Sequence, residues 1–114
     1  MSGSAQTPEE LETLFEDSLL LRDGVALSRL FDGGAAFVAH DVGTARGGRE
    51  IARLALARWN GNATYIADPR CVVQAHDIAL IVAGPAINVA RRGHDGIWRY
   101  AIVFVDELEE RKTQ

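Results

Sequence analysis

Polar and apolar residues along the first third of the chain follow a helical period. Leu11, Leu14, Phe15, Ser18 and Leu19 fall on one face. Thr7 is placed to cap, Pro8 suits the first helical position, and Glu10 completes a capping box. The spacing predicts a helix from residue 8 to about 22. Asp23 is placed to cap a second, short helix over 24–31, with Leu27, Leu30 and Phe31 as its apolar positions. Asp32-Gly33-Gly34 reads as a turn, 35–40 as a strand, and 42–48 as a loop. A third helix is expected over 48–59. It sets Ile51, Leu54, Ala55 and Arg58 on one face, carries Trp59 at its end, and stops at Asn60-Gly61-Asn62.

After the third helix the pattern shortens to strand runs. Residues 63–67, 71–75, 78–83, 86–91 and 97–105 are expected as strands. Asp68-Pro69, His76-Asp77 and Gly93-His94-Asp95-Gly96 read as turns. Gly84-Pro85 should bend or bulge the long apolar run, because proline cannot donate to a central ladder. The run 78–83 is apolar on both faces, which predicts a central strand covered on both sides. Helices early and strands late indicate an α+β domain with helices packed on one sheet face. A second subunit is one way to cover the other face, so a homodimer through the outer sheet is expected.

The chain has 114 residues, enough for one domain over 1–114, with flexible ends expected at about 1–6 and 107–114. Its formal net charge of −4 comes without a basic stripe. Nucleic acid and an anionic membrane surface are therefore not expected as partners. No apolar run approaches the ~20 residues of a membrane span. The start, MSGSAQ, lacks the layout of a signal peptide, and a cytoplasmic location is expected. The single cysteine, Cys71, lies in an apolar run and is expected to be a buried, inert thiol.

Three stretches resemble a known family: FVAHDVGTARGGREI, AHDIALIVAGPAINVARRGHDGIWRYAI, and the early helix ending in LRDGVALSRLF. In this order they are similar to the NTF2-like superfamily, in the branch of SnoaL-like and ketosteroid-isomerase-like proteins. The resemblance spans roughly residues 7–107. It implies an NTF2-like cone: three N-terminal helices packed on a curved antiparallel sheet around an interior pocket. In the ketosteroid-isomerase branch a strand ending in D-P-V-G supplies a carboxylate base. Aligned on Val42-Gly43, His40 occupies that place. The branch's first-helix tyrosine is absent, with Phe15 and Glu16 nearest, and Val103 stands where a late-strand acid would be.

His40 and Asp41 are adjacent, and neighbouring strand residues point to opposite faces. They therefore do not form a dyad, and the pattern alone leaves open which of them faces inward. The resemblance favours His40, the candidate general base; a neutral imidazole in an apolar pocket can take a proton. Asn88 interrupts an apolar strand, and a buried amide needs partners. Arg99 and Tyr100 alternate, so only one of them faces the interior: Arg99 would select an anion, and Tyr100 would offer a phenol donor. Phe15, Leu19 and Trp59 complete the candidate ligand-binding set. His76 and His94 belong to turns, and the histidine spacing supports no metal site. The glycines at 43, 47 and 48 fit neither dinucleotide nor P-loop spacing, and no cofactor is expected. The sequence thus points to a protein that binds a small, largely apolar organic molecule. Cofactor-free proton transfer, of isomerase, cyclase or dehydratase type, would rest on His40. The alternative is a non-catalytic ligand-binding or dimeric assembly module that has lost the catalytic groups.

Overall fold

The computed structural model describes residues 4–39, 43–60, 65, 67, 69–84 and 86–105. Helix α1, Pro8–Leu20, starts as its sequence dictates. The Thr7 hydroxyl accepts from the Glu10 N–H at 3.0 Å, and Glu10 reaches back to the Gln6 N–H at 2.7 Å. Two backbone bonds close its far end, Asp23 N–H to Ser18 O and Arg22 N–H to Leu19 O. This is a Schellman closure with Arg22, at φ 55°, in the position glycine usually takes. The Arg22 guanidinium then donates to the carbonyls of Trp59 at 2.7 Å and Leu56 at 3.0 Å. One side chain thus ties the end of α1 to the orphan carbonyls of another helix.

Helix α2, Gly24–Ser28, is capped by the Asp23 carboxylate and is shorter than its periodicity suggested. Leu30 and Phe31 leave the helix, and Phe31 opens strand β1, Phe31–Ala39. Asp32-Gly33-Gly34 is therefore a bulge within a strand and not a turn before one. Strand β2, Gly43–Arg46, occupies residues read as loop, and it pairs antiparallel with β1. Helix α3, Gly48–Arg58, follows. A methyl group on Gly48 would lie 2.2 Å from the Ser28 carbonyl oxygen, so glycine lets α3 approach the end of α2.

Strands β3, Cys71–Ala75, β4, Ile78–Ala83, β5, Ala86–Arg92, and β6, Trp98–Val105, form a meander of hairpins. Residues 65 and 67 carry no strand, and the rest of the strand expected over 63–67 lies outside the described residues, as does the tail from 106. The β4–β5 junction is a full reversal, with Ala83 opposite Ala86, and not a bulge in one continuing strand. The six strands run in the order β2-β1-β6-β5-β4-β3. The sheet is mixed and not wholly antiparallel: β1 runs parallel to β6, while every other pair is antiparallel. The reason lies in the connection: the segment from β1 to β6 includes α3 and the meander, so no hairpin forces the two to run opposite. The third helix also follows β1 and β2 in the chain, so only two of the three helices are N-terminal to the sheet.

One face of the sheet is sealed. Phe37, Tyr100, Val103, Val105, Asn88, Ala90 and Ile81 point inward beneath α1 and α3. Phe15 lies at the centre, edge-on to Phe31, Trp59, Tyr65 and Tyr100 at centroid distances of 4.8–6.0 Å. Ala5 is buried as well, and its carbonyl accepts from the Trp98 N–H. The opposite face is open. β4 alternates buried and exposed positions, so the expected two-sided cover is absent within one chain. Cys71 is exposed, not buried, because β3 is an edge strand and Cys71 sits on its open side. Among the described residues no helix is long and apolar enough to cross a membrane.

Candidate functional site

Helical spacing places Glu12 in line with Pro8, Phe15 and Leu19, on the face that α1 buries. Its carboxylate is wholly shielded from solvent. Burying a carboxylate costs several kcal/mol unless donors replace the lost water. Here they do. The Tyr65 hydroxyl donates to Oε1 at 2.5 Å, the Tyr100 hydroxyl donates to Oε2 at 2.5 Å, and the Asn88 Nδ2 donates to Oε2 at 2.9 Å. The Asn88 amide also lies 3.4 Å from the Tyr65 oxygen.

The three donors come from different elements. Tyr65 lies between α3 and β3, Asn88 sits on β5 and Tyr100 on β6. A one-residue irregularity brings the last two together: Val89 opposes Ile102, but Ala90 opposes Tyr100, leaving Ala101 as a bulge. Tyr100 and Val103 thereby both face inward, which a regular strand could not arrange. Burial, then the charge of Glu12, raises the Tyr65 phenol well above its ordinary value. Tyr100 is raised by burial first, then by Glu12 and by Tyr65. Both phenols therefore hold their protons and act as donors. Their donation is already spent on Glu12. One polar atom of the cluster is left over: among the described residues, Asn88 Oδ1 is buried without a hydrogen-bond partner. Turning the amide over would set this oxygen against the Glu12 carboxylate.

The residues singled out in the sequence divide as follows. Phe15 and Trp59 are buried against the cluster, Leu19 is buried further along α1, and Asn88 and Tyr100 belong to the cluster. Arg99 points to the other face and pairs with Asp95 at 2.9 Å, which settles the alternation in favour of Tyr100. The Arg99 guanidinium holds the Asp95 carboxyl below its usual value, with help from the Ile97 N–H. His40 lies outside the described residues. Val103, in the place of the branch's late-strand acid, is buried opposite Asn88. Glu12 and Tyr65 were not singled out. Glu12 carried a signal all the same, as a charged residue at the 8, 12, 15, 19 spacing of a buried helix face.

No protein-family model and no curated protein matches the sequence. Solved structures do match. A domain of unknown function with a cystatin-like fold from Nostoc punctiforme superposes with a TM-score of 0.68 at 13% identity, over 92% of this chain and 79% of that one. An NTF2-like superfamily protein from Salmonella enterica serovar Typhimurium gives 0.64 at 16% identity, over 84% of each chain. A ketosteroid isomerase-like protein from Erwinia carotovora atroseptica gives 0.64 at 16%, over 86% and 91%. The fold of this chain is the NTF2-like fold.

Proposed function

We propose that the protein binds a small, largely apolar organic molecule against the inner face of its sheet, beside the Glu12 cluster. The observation that carries this reading is Asn88 Oδ1, a buried acceptor with no partner among the described residues in an otherwise satisfied network. A buried acceptor left unmade costs about 1–3 kcal/mol, and a ligand hydroxyl or N–H would recover it. Phe15, Leu19 and Trp59 supply the apolar surroundings, and Tyr100 fixes the carboxylate. In the catalytic form of this reading His40 is the base that moves a proton on the bound molecule, with no cofactor. The fold shared with the ketosteroid isomerase-like neighbour supports that form of the reading.

Matched probes test it. 2-Naphthol should raise the melting temperature of the full chain, and 2-methoxynaphthalene, which lacks the donor, should not. Asn88→Leu should abolish the response. Equal responses to both probes, or an unchanged response in the variant, would refute it. His40→Ala should leave binding intact and remove proton exchange on a bound ketone.

A second reading, a non-catalytic dimeric module, has its own support. Both phenols are spent on Glu12 and so are not free to stabilise an enolate. The outer face carries a cross-strand row, Val73, Leu80, Val89, Ile102 and Ala36, with Ile78 and Ile87 exposed beside it. We assign this row to a homodimer contact through the sheet. Sedimentation of the full chain tests it: a monomer at micromolar concentration would remove it.

A further inference from the structure

The outer face holds a second feature at one end of that row. Between the Asp32–Gly34 bulge and the β5–β6 turn lies an open hollow of about 860 Å³. Two irregularities make it. Six residues of β1, from Phe31 to Ala36, span what three residues of β6 span, from Tyr100 to Ile102. Ala101 bulges from β6 at the same level. The floor is small: Gly33, Gly34, Ala36 and Ala101 line it. Neither Gly33 nor Gly34 has a positive φ, and a methyl group on either would meet nothing within 4 Å. Backbone and packing would both accept side chains here, so the missing side chains are what keep the hollow open.

Its walls are cationic in a chain whose net charge is −4. Arg46, Arg91 and Arg92 line it against Asp32 and Asp77. The three arginines are engaged unequally. Arg92 is tied to Asp77 by two bonds, at 2.6 and 2.9 Å. Arg91 meets Asp32 more loosely, with Nε at 3.4 Å. Arg46 uses its backbone N–H on Glu50, and its guanidinium makes no ion pair among the described residues. Arg91 also stands directly opposite Arg99, a like-charge pair across two strands. Such a pair is unfavourable unless anions offset it. Asp95 offsets Arg99 closely; among the described residues no acid offsets Arg91 as well.

We propose that this hollow is a binding site for a small organic anion, a carboxylate or a phosphate monoester on a flat apolar body. The guanidinium groups of Arg91 and Arg46 take the anionic head in charge-assisted hydrogen bonds. The apolar body lies over the floor of Gly33, Gly34 and Ala101. Arg92, held by Asp77, forms a fixed wall. This site is on the opposite face of the sheet from the Glu12 cluster and does not depend on it.

Calorimetric titration of the full chain with phenyl phosphate, benzoate, inorganic phosphate and benzyl alcohol tests the proposal. One phenyl phosphate or benzoate should bind per chain, the tighter of the two identifying the head group. Inorganic phosphate should bind more weakly, and benzyl alcohol not at all. Arg46→Ala and Arg91→Ala should each weaken binding about tenfold, the size of one charge-assisted contact. Gly34→Leu should fill the hollow and abolish binding while leaving the melting temperature unchanged. Wild-type affinity in Gly34→Leu, or in both arginine variants, would overturn the proposal. So would equal binding of benzyl alcohol. Absence of anion binding, with Gly34→Leu instead splitting a dimer, would also overturn it and make the hollow a contact between copies.

Discussion

The two faces of the sheet treat polar groups in opposite ways. On the inner face one carboxylate receives three donors from three separate elements, and a single acceptor is left over. On the outer face three arginines share two acids around an open hollow, and beside it an apolar row lies uncovered. The inner network is closed: its members are committed to one another and fix how α1 sits on β5 and β6. The outer surface is unsatisfied in both senses, with apolar area still facing water and a guanidinium poorly matched. The contrast separates a buried network with one acceptor uncommitted from a surface with both charge and apolar area uncommitted.

Breaking the inner network should have the largest effect. Glu12→Leu leaves two phenols and an amide buried without their acceptor, and should cost about 3–5 kcal/mol in chemical denaturation. Adding Tyr65→Phe and Tyr100→Phe to that variant should recover most of the loss, because the stranded donors go too. A triple variant as unstable as the single one would show that the carboxylate does more than satisfy these donors.

Next in size is Gly48→Ala. The added methyl meets the Ser28 carbonyl at 2.2 Å, which is backbone and cannot swing away. Forcing α2 and α3 apart should cost about 1–3 kcal/mol, read as a lowered denaturation midpoint. A neutral substitution would mean the α2–α3 approach is soft.

The phenols sharpen the comparison through pH. Both Tyr65 and Tyr100 are raised in the folded chain relative to the unfolded value of 10.0. Above that value the unfolded chain releases protons that the folded chain keeps, so stability is full below about pH 10 and falls as pH rises further. Each phenol contributes a slope of up to about 1.4 kcal/mol per pH unit. Denaturation at pH 9, 10 and 11 should show the decline, and Tyr100→Phe should flatten it by one proton's worth.

The smallest expected change in the stability of the single chain belongs to the outer row. Leu80→Glu should alter it by no more than about 0.5 kcal/mol, since the side chain is already exposed. It should nonetheless abolish self-association in sedimentation. A large stability loss in a demonstrably monomeric sample would mean that this face is packed within one chain.

The sequence showed elements whose boundaries are set locally and missed those set by distant partners. The start of α1 is written in Thr7-Pro8-Glu9-Glu10, and β3 and β4 in short apolar runs between turn residues. β2 was invisible because Gly43-Thr44-Ala45-Arg46 has neither alternation nor bulk, and becomes a strand only by pairing with β1. Asp32-Gly33-Gly34 looked like a turn because a bulge uses the same residues. The side of the sheet that Arg99 and Tyr100 occupy depended on the Ala101 bulge, which no local pattern announces. In the candidate site Asn88 stood out as an amide among apolar neighbours. Glu12 did not, because a glutamate early in a helix is normally a solvated residue favoured by the helix dipole. Only the donors arriving from residues 65, 88 and 100 make its burial tolerable.

The inner-face assignment meets its most direct test in an NMR titration of the full chain with 2-naphthol, following the Asn88 side-chain amide alongside the backbone amides of Leu80 and Ile102. The expected result is a saturable shift of the Asn88 side-chain amide with the two outer-face amides unmoved. Shifts confined to Leu80 and Ile102, with Asn88 unchanged, would contradict it.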